Sequence, residues 1–228
     1  VGRNWPIVRD EVRRMPESWS PPFEPVDVRL ELSKDGGAEL LSKCEIDPTV
    51  VAVTGITGGS SYAIEHWENW CDSGIRSYHM KRNNAALSDG VSRMSPWIHY
   101  GMISTTRMVR DASSIGGKGA EKFLDEMLVF REHAQHHVHA KDNPDDWANI
   151  PGWAITSWND RRPEISELSP IELERGRSGD RLWDSAQTGL VRHGTMHNNV
   201  RMTWGKAFPG WRVDAEEAMR LALEMNDR

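Results

Sequence analysis

The sequence predicts an all-α domain behind an irregular N-terminal segment. From Ser60 onward, apolar residues recur with a spacing near 3.6, and no alternating run of strand length follows residue 55. The first 35 residues instead contain five prolines and mix charged residues with Trp, which is typical of irregular chain. We therefore divide the sequence into a lead-in segment, residues 1–57, and a helical domain, residues 58–228.

The periodic segments define the predicted helices, and several of them carry start signals. Ser95-Pro96 is typical of a helix N-terminus, and capping boxes begin at Ser169 and Asp214. Gly101 interrupts the second segment. Pro209 is expected to bend or end the helix before it, because Pro cannot donate to the helical hydrogen-bond ladder. The predicted helices are 60–73, 95–112, 119–140, 146–157, 169–175, 180–193, 196–208 and 214–226.

Composition excludes several classes of protein. Hydrophobic residues make up 38% and charged residues 27% of the chain, and no run approaches the ~20 apolar residues of a membrane span. The N-terminus lacks the apolar core of a signal peptide. The two cysteines give no disulfide framework, so we expect an intracellular protein. The net charge of −6 gives no global case for nucleic-acid binding, and only residues 161–206 are mildly basic.

Tryptophan is unusually frequent, with eleven Trp against four Phe and three Tyr. Indoles normally serve core packing, but they also stack on flat ligands or pass single electrons. Trp204 and Trp211 are seven residues apart, which on a continuous helix places them on one face about 10.5 Å apart along the axis. Composition alone leaves core packing and electron transfer open.

A candidate anion site lies at Ser92-Arg93-Met94-Ser95-Pro96. This short polar loop leads into a helix start, where free N–H groups and the helix dipole attract phosphate. Hydroxyls and a guanidinium add further donors. Tyr78, Lys81 and Arg82 are placed to converge on the same anion, and a plain N-cap is the alternative.

The stretch Arg131–His139 crowds ionisable residues onto an otherwise apolar helix. His133 and His137 share a face and are a possible metal pair, but the pattern is not HExxH because Glu132 precedes the first His. We therefore predict no metal site and favour a polar stripe facing a cleft. Glu132 is then expected to be a partly buried carboxylate that holds or releases a proton.

Three ordered motifs resemble the DNA photolyase and cryptochrome family. They are SRMSPWIHYGMIS, FLDEMLVFREHA and LWDSAQTGLVRHGTMHNNVRMTWGKAFPGW. The last is most similar to class II cyclobutane pyrimidine dimer photolyases. The resemblance runs from about residue 58 to residue 228, about three-quarters of the chain.

The resemblance implies a multi-helix domain that binds FAD, whose reduced form is active. It implies light-driven repair of pyrimidine dimers in DNA by electron transfer to a lesion flipped out of the duplex. It further implies a monomer that acts on DNA in the cytoplasm, or in the nucleus of a eukaryote. A cryptochrome-like photoreceptor without repair is the first alternative, and a helical interaction or DNA-binding domain without flavin is the second.

The resemblance also assigns roles to single residues. Glu132 corresponds to a residue that contacts the flipped pyrimidine pair. Trp204 corresponds to the proximal electron donor and Trp183 to its partner, with Trp211 a lesser candidate. The residues that correspond to FAD contacts are Tyr78, Ser92, Arg93, Met94, Ser95, Asn198, Arg201 and Asn226.

The sequence departs from the family pattern in several places. Asn198 stands where class II members have Gly, and His136 where class I members have Arg. We expect a fragment that lacks the N-terminal antenna domain and stops just after Asn226, before the loop that supplies an Asp partner for Arg201. A buried Arg201 without a partner would be costly.

Overall fold

The computed structural model describes residues 41–47, 49–50, 52–160, 168–212 and 214–227, and the described residues from Val53 onward belong to one compact unit. Most of the predicted irregular lead-in segment, residues 1–57, lies outside the described residues. No strand occurs in the described ranges, so the predicted all-α class is confirmed. The α-helices are α1 Ser60–Ser73, α2 Tyr78–Lys81, α3 Ser95–His99, α4 Thr105–Ile115, α5 Gly117–Asp125, α6 Glu132–His139, α7 Gly152–Asn159, α8 Pro170–Glu174, α9 Arg181–His193, α10 Asn198–Gly205 and α11 Ala215–Asp227.

Shorter helical turns connect some of these helices. A π-helical turn, Glu126–Arg131, joins α5 to α6 without a break. Turns of 3₁₀-helix occupy Ile75–Ser77, Trp147–Asn149 and Phe208–Trp211. No helix of the described ranges is both long enough and apolar enough to span a bilayer.

Local sequence signals account for several helix ends. At α8 the predicted capping box forms: Ser169 Oγ accepts from the Glu172 backbone N–H at 3.3 Å, and the Glu172 carboxylate accepts from the Ser169 N–H at 2.9 Å. Asp214 accepts from the Glu217 N–H at 2.9 Å at the start of α11. These bonds satisfy N–H groups that a helix start leaves without partners.

The prediction of one helix over 95–112 is wrong. Gly101 adopts φ 66°, a left-handed conformation that ends the first helical segment, and Ser104 then caps a new helix by accepting from the Arg107 N–H. Ser95 is the first residue of α3 rather than its N-cap. Met94 occupies the cap position and makes no side-chain cap bond.

The prediction that the chain bends or stops being α-helical before Pro209 is confirmed. Helix α10 ends at Gly205, and Phe208–Trp211 follows as a 3₁₀ turn. Trp204 and Trp211 therefore do not lie on one continuous helix, as the prediction at Pro209 implied. The turn redirects Trp211 relative to α10.

The larger of two hydrophobic clusters, here called the N-terminal core, is formed by α1 to α5 and the turns beside them. Helix α5 lies directly on the turn at Ile75, since a Cβ at Gly119 would clash with the backbone carbonyls of Ile75 and Arg76. The buried members of the N-terminal core are Ala63, Trp67, Trp70, Ile75, Tyr78, Met94, Trp97, Ile103, Met108, Val109, Ala112, Ala120, Phe123, Leu124 and Met127.

The smaller cluster, here called the C-terminal core, lies among α8 to α11 and the 3₁₀ turn Phe208–Trp211. Its buried members are Leu173, Trp183, Trp204, Phe208, Leu221 and Met225. A hydrogen bond joins α10 to the segment after α2, where Asn199 Nδ2 donates to the Asn83 carbonyl at 3.1 Å. This bond connects elements that carry residues of both predicted parts of the cofactor site.

Candidate functional site

The structure brings together the three tryptophans that the sequence singled out. Trp183 on α9 and Trp204 on α10 are each only 4% exposed, and their ring planes are 5° from parallel with centroids 6.1 Å apart. Trp211 meets Trp183 edge-on, with centroids 4.7 Å apart and an angle of 83°. The three indoles therefore form a contiguous array in the order Trp204, Trp183, Trp211.

Phe208 fills the space among these rings. Its side chain is fully buried, and its centroid lies 4.8 Å from that of Trp204 and 5.8 Å from that of Trp211. Edge-to-face packing of this kind holds aromatic rings in defined orientations. Trp211 is itself half-buried, so one end of the array lies nearer the surface than the other two indoles.

Hydrogen bonds fix both buried indoles. Trp183 Nε1 donates to the Trp204 carbonyl at 3.1 Å, and Trp204 Nε1 donates to Gln187 Oε1 at 2.9 Å. Gln187 is 3% exposed and completes its own bonding by donating from Nε2 to the Glu174 carbonyl at 3.2 Å. Sequence reasoning missed Gln187, although its spacing four residues after Trp183 puts both on one helix face.

A groove of about 440 Å³ lies between α10 and α11, and it is lined by Phe208, which packs on all three indoles. Two predicted cofactor residues, Asn198 and Arg201, line it, and Arg201 Nη2 donates to Asn226 Oδ1 at 2.5 Å. The expectation of a buried, unpaired Arg201 is wrong, because the guanidinium is half-exposed and bonded to the Asn226 amide. The remaining lining is largely apolar: Trp158, Met202, Gly205, Lys206, Phe208, Pro209, Ala218 and Ala222.

Trp158 is the second residue that sequence reasoning missed. Its side chain lines the groove, and its buried indole N–H has no hydrogen-bond partner among the residues that the structure describes. A buried polar group without a partner costs free energy, so such a group at a groove wall is suited to a ligand acceptor. The only sequence signal for it was the general excess of Trp.

The predicted anion loop lies against the N-terminal core. Met94 is buried, whereas the side chains of Arg93 and Ser95 are exposed. Arg93 adopts φ 54°, an uncommon conformation for a residue other than Gly. His66 contacts the Ser92 carbonyl through Nε2 at 2.9 Å and packs on Trp97, with centroids 4.8 Å apart. The loop is thus held against the N-terminal core by Met94 and His66, while the side chains of Arg93 and Ser95 are exposed.

Tyr78 is buried on α2, among Trp70 and Phe123 of the N-terminal core. Burial raises the pKa of its hydroxyl, and the neighbouring Arg82 partly opposes that change. The hydroxyl is therefore a neutral hydrogen-bond donor at physiological pH. The Arg82 guanidinium lies 5.7 Å from the Tyr78 ring centroid and bonds Glu126 at 2.8 Å.

Glu132 is the first residue of α6, directly after the π-helical turn. The expectation that it is partly buried is wrong: its side chain is exposed, and α6 has no buried residue. A π turn widens the helix by one residue per turn, and such turns are frequent at functional sites. The carboxylate is accordingly available to a ligand that approaches from outside.

The structure offers little for metal or thiolate chemistry. In the ranges it describes, no three His, Cys, Asp or Glu side chains are placed to hold a metal ion. Burial, followed by the charges of Asp111, Asp72 and Glu68, raises the pKa of Cys71 to about 12, so this thiol stays protonated at neutral pH.

Comparison with known proteins decides the family. Proteins named deoxyribodipyrimidine photo-lyase are similar to the chain: 29% identical over 81% of it in Potorous tridactylus, 31% over 81% in Methanothermobacter thermautotrophicus, and 31% over 68% in Oryza sativa. The chain belongs to the photolyase family. It spans 35%, 40% and 31% of the lengths of these photolyases, respectively.

The fold agrees with this family. A crystal structure of a class III photolyase from Agrobacterium tumefaciens superposes with a TM-score of 0.50 at 18% identity, covering 92% of the chain and 44% of that protein. No protein-family model matches the sequence. Membership of the photolyase family implies a flavin cofactor in general terms.

The residues of the groove fit the ring end of a flavin. Its volume lies within the range of roughly 300–1,000 Å³ that small-molecule sites occupy. Apolar walls suit a flat aromatic ring, while Arg201 and the unpartnered indole N–H of Trp158 are donors for the ring's polar edge. Asn226 adds an amide within hydrogen-bond distance of Arg201.

Proposed function

We propose that this chain forms the flavin- and lesion-binding part of a light-driven deoxyribodipyrimidine photo-lyase of the class II type. The observation that carries the proposal is the array of Trp204, Trp183 and Trp211 beside a groove lined by Arg201. An electron-transfer protein needs closely spaced aromatic rings near a cofactor site, and here Phe208 packs on the indoles and also lines the groove.

FAD is the proposed cofactor, with its ring in the groove. Arg201 and Asn226 would hold the polar edge of the ring, since Arg201 lines the groove and bonds Asn226, and Asn198 lies at the N-terminus of α10. The phosphates and the ribityl chain bind at Tyr78 and at the loop of Ser92, Arg93, Met94 and Ser95. The hydrogen bond from Asn199 to the Asn83 carbonyl supports this arrangement. It ties α10 to the segment just after α2, the helix that begins at Tyr78.

The proposed substrate is DNA that contains a cyclobutane pyrimidine dimer. When bound and reduced, the flavin supplies one electron to the lesion after absorbing light and takes it back once the ring has split. Glu132 contacts the flipped pyrimidine pair and stabilises its added negative charge by a hydrogen bond or a proton. The exposure of Glu132 is consistent with contact to a substrate that enters from solvent.

The Trp array has a separate role in this proposal. With the oxidised cofactor bound, Trp204 would be its electron donor, Trp183 would refill Trp204, and Trp211 would refill Trp183. Each pass would supply one electron, so that two passes, with an external reductant restoring Trp211, would bring the cofactor to its active reduced state. The ring contacts of 6.1 Å and 4.7 Å support this order.

DNA binding is proposed for the mildly basic part of the chain. Arg175, Arg177, Arg181 and Arg192 are exposed there and are suited to phosphate contacts. We propose a monomer that acts on DNA inside the cell.

A repair assay tests the proposal. The full chain is loaded with FAD, reduced in the absence of oxygen, mixed with an oligonucleotide that contains one thymine dimer, and exposed to blue light. The expected result is restored thymines, counted by chromatography, with none in a dark control. A chain that holds reduced FAD but restores no thymines would contradict repair and would favour a photoreceptor.

A further inference from the structure

We propose that Gln187 is a positioning residue that orients the Trp204 indole through an acceptor that is not a base, so that Trp204 keeps its proton during electron transfer. This inference rests on the proposed function, because it concerns the same Trp array. Because Trp204 keeps its proton, an electron vacancy created at Trp204 moves on to Trp183 instead of remaining there.

The hydrogen-bonding geometry at Gln187 has a single consistent orientation. Indole Nε1–H can only donate, so the amide oxygen of Gln187 must face Trp204, at 2.9 Å. Its Nε2 must then face the Glu174 carbonyl, at 3.2 Å, which can only accept. With 3% of the residue exposed, both ends of the amide are fixed.

The chemical nature of the acceptors matters. An indole that loses an electron becomes a strong acid, and it gives up its proton if a base is within hydrogen-bond reach. The acceptor at Trp204 is an amide oxygen, and the acceptor at Trp183 is the Trp204 backbone carbonyl at 3.1 Å. Neither oxygen is a base at neutral pH, so both indoles keep their protons.

The N-terminal core provides the contrast. There Trp67 Nε1 donates to the Asp111 carboxylate at 2.9 Å, and a carboxylate is able to take the proton. An oxidised Trp67 would deprotonate and hold the electron vacancy as a neutral radical. Trp67 therefore differs from Trp204 in the acceptor of its indole proton, whereas Trp97 of the same core donates to the Thr57 carbonyl, at 2.9 Å, as Trp183 does to the Trp204 carbonyl.

The electron and proton balance follows directly. With an oxidised flavin bound, the photoexcited flavin would be the one-electron oxidant and Trp204 would be its donor. Trp183 would then give one electron to Trp204, and Trp211 one to Trp183. Half-buried Trp211 would release its indole proton to water and remain as a neutral radical, so the net change is one electron from Trp211 to the flavin and one proton from Trp211 to solvent.

Transient absorption after a light pulse tests the inference. The chain carries Trp183→Phe, so that the electron vacancy at Trp204 cannot pass to Trp183. With Gln187 present, we expect the spectrum of the protonated Trp204 radical cation. Gln187→Glu has nearly the same shape and introduces a base. Because burial raises the pKa of the new carboxyl, the comparison is made near pH 9.

In the Gln187→Glu variant we expect loss of the radical-cation band and appearance of the neutral-radical band. Gln187→Met is the matched control: it removes the acceptor, adds no base, and should keep the cation band. A cation band that persists in Gln187→Glu at pH 9, or a neutral radical already present with Gln187, would overturn the inference.

A second measurement does not depend on the cofactor. In the chain without FAD, ultraviolet resonance Raman spectra should show one indole N–H marker shifting from strongly to weakly bonded in Gln187→Met. An unshifted marker would overturn the inference. If the unsubstituted chain with bound FAD showed no photoreduction of the flavin, the proposed function itself would be overturned. Failure of the inference about Gln187 differs from this, because the flavin of the unsubstituted chain would then still be reduced by light.

Discussion

The two hydrophobic cores are both rich in tryptophan, yet their indoles are arranged differently. In the N-terminal core Trp67, Trp70 and Phe123 pack at tilted angles, with centroids 5.2 to 5.7 Å apart. In the C-terminal core Trp183 and Trp204 are parallel, and two of the grooves in the described part of the chain are lined by residues of that core.

The acceptors of the indole N–H groups differ as well. Trp67 bonds a carboxylate, whereas Trp204 bonds an amide. The same residue type thus serves packing in one core and is suited to electron transfer in the other. What separates the two roles is the set of neighbours around each ring: its hydrogen-bond acceptor, the orientation of the next ring, and a groove for a redox partner.

Removing an indole from the N-terminal core should have the largest effect on stability. Trp67 is fully buried, so Trp67→Ala leaves a large cavity and should lower the free energy of unfolding by about 3–5 kcal/mol. Urea unfolding followed by circular dichroism measures this. The matched change Trp153→Ala, at a side chain that is 77% exposed, should stay within about 0.5 kcal/mol. Equal losses at both positions would contradict the role of Trp67 in the core.

The groove beside the C-terminal core should depend on Arg201. Arg201→Ala removes a charged donor from the cofactor site and should weaken FAD binding by about 1.5–3 kcal/mol, roughly 10- to 150-fold in Kd. Fluorescence quenching of added FAD measures the affinity. Arg220→Ala is the control, since Arg220 is exposed on α11 and does not line the groove. If Arg201→Ala left the affinity for FAD unchanged, the proposal that the flavin ring binds in this groove would be contradicted.

Glu132 lies outside both cores and should affect repair without affecting the cofactor. Glu132→Gln removes the carboxylate that stabilises the lesion's negative charge and should lower the repair yield per absorbed photon about tenfold, the loss of one charge-assisted hydrogen bond. FAD affinity should not change. Glu121→Gln, an exposed position on α5, serves as the control. A repair yield equal to that of the unsubstituted chain would remove Glu132 from the mechanism.

Local signals made much of the fold predictable. Helix α1 begins and ends where the periodicity placed it, and the Ser169 capping box and the break before Pro209 are present. These features depend on a few adjacent residues. The split between α3 and α4 was not predicted, because Gly101 was treated as an interruption within one helix, whereas its left-handed φ and the cap at Ser104 end one helix and start another.

The site was predictable only in part, for a related reason. The three tryptophans were identified from motifs, but the expected helix break at Pro209 left the position of Trp211 relative to Trp204 open. Their actual arrangement depends on a 3₁₀ turn that packs Trp211 on Trp183 of another helix. The bonds from Trp204 to Gln187 and from Arg201 to Asn226 likewise join separate helices, and no local pattern encodes such pairs.

The measurement that tests the central claim most directly is blue-light reduction of oxidised FAD bound to the chain, followed by flavin absorbance in three proteins. The unsubstituted chain and Trp67→Phe should reduce the flavin at the same rate, whereas Trp204→Phe should reduce it far more slowly while binding FAD equally well. Equal rates in Trp204→Phe and the unsubstituted chain, or a loss confined to Trp67→Phe, would contradict the assignment of electron transfer to the C-terminal core.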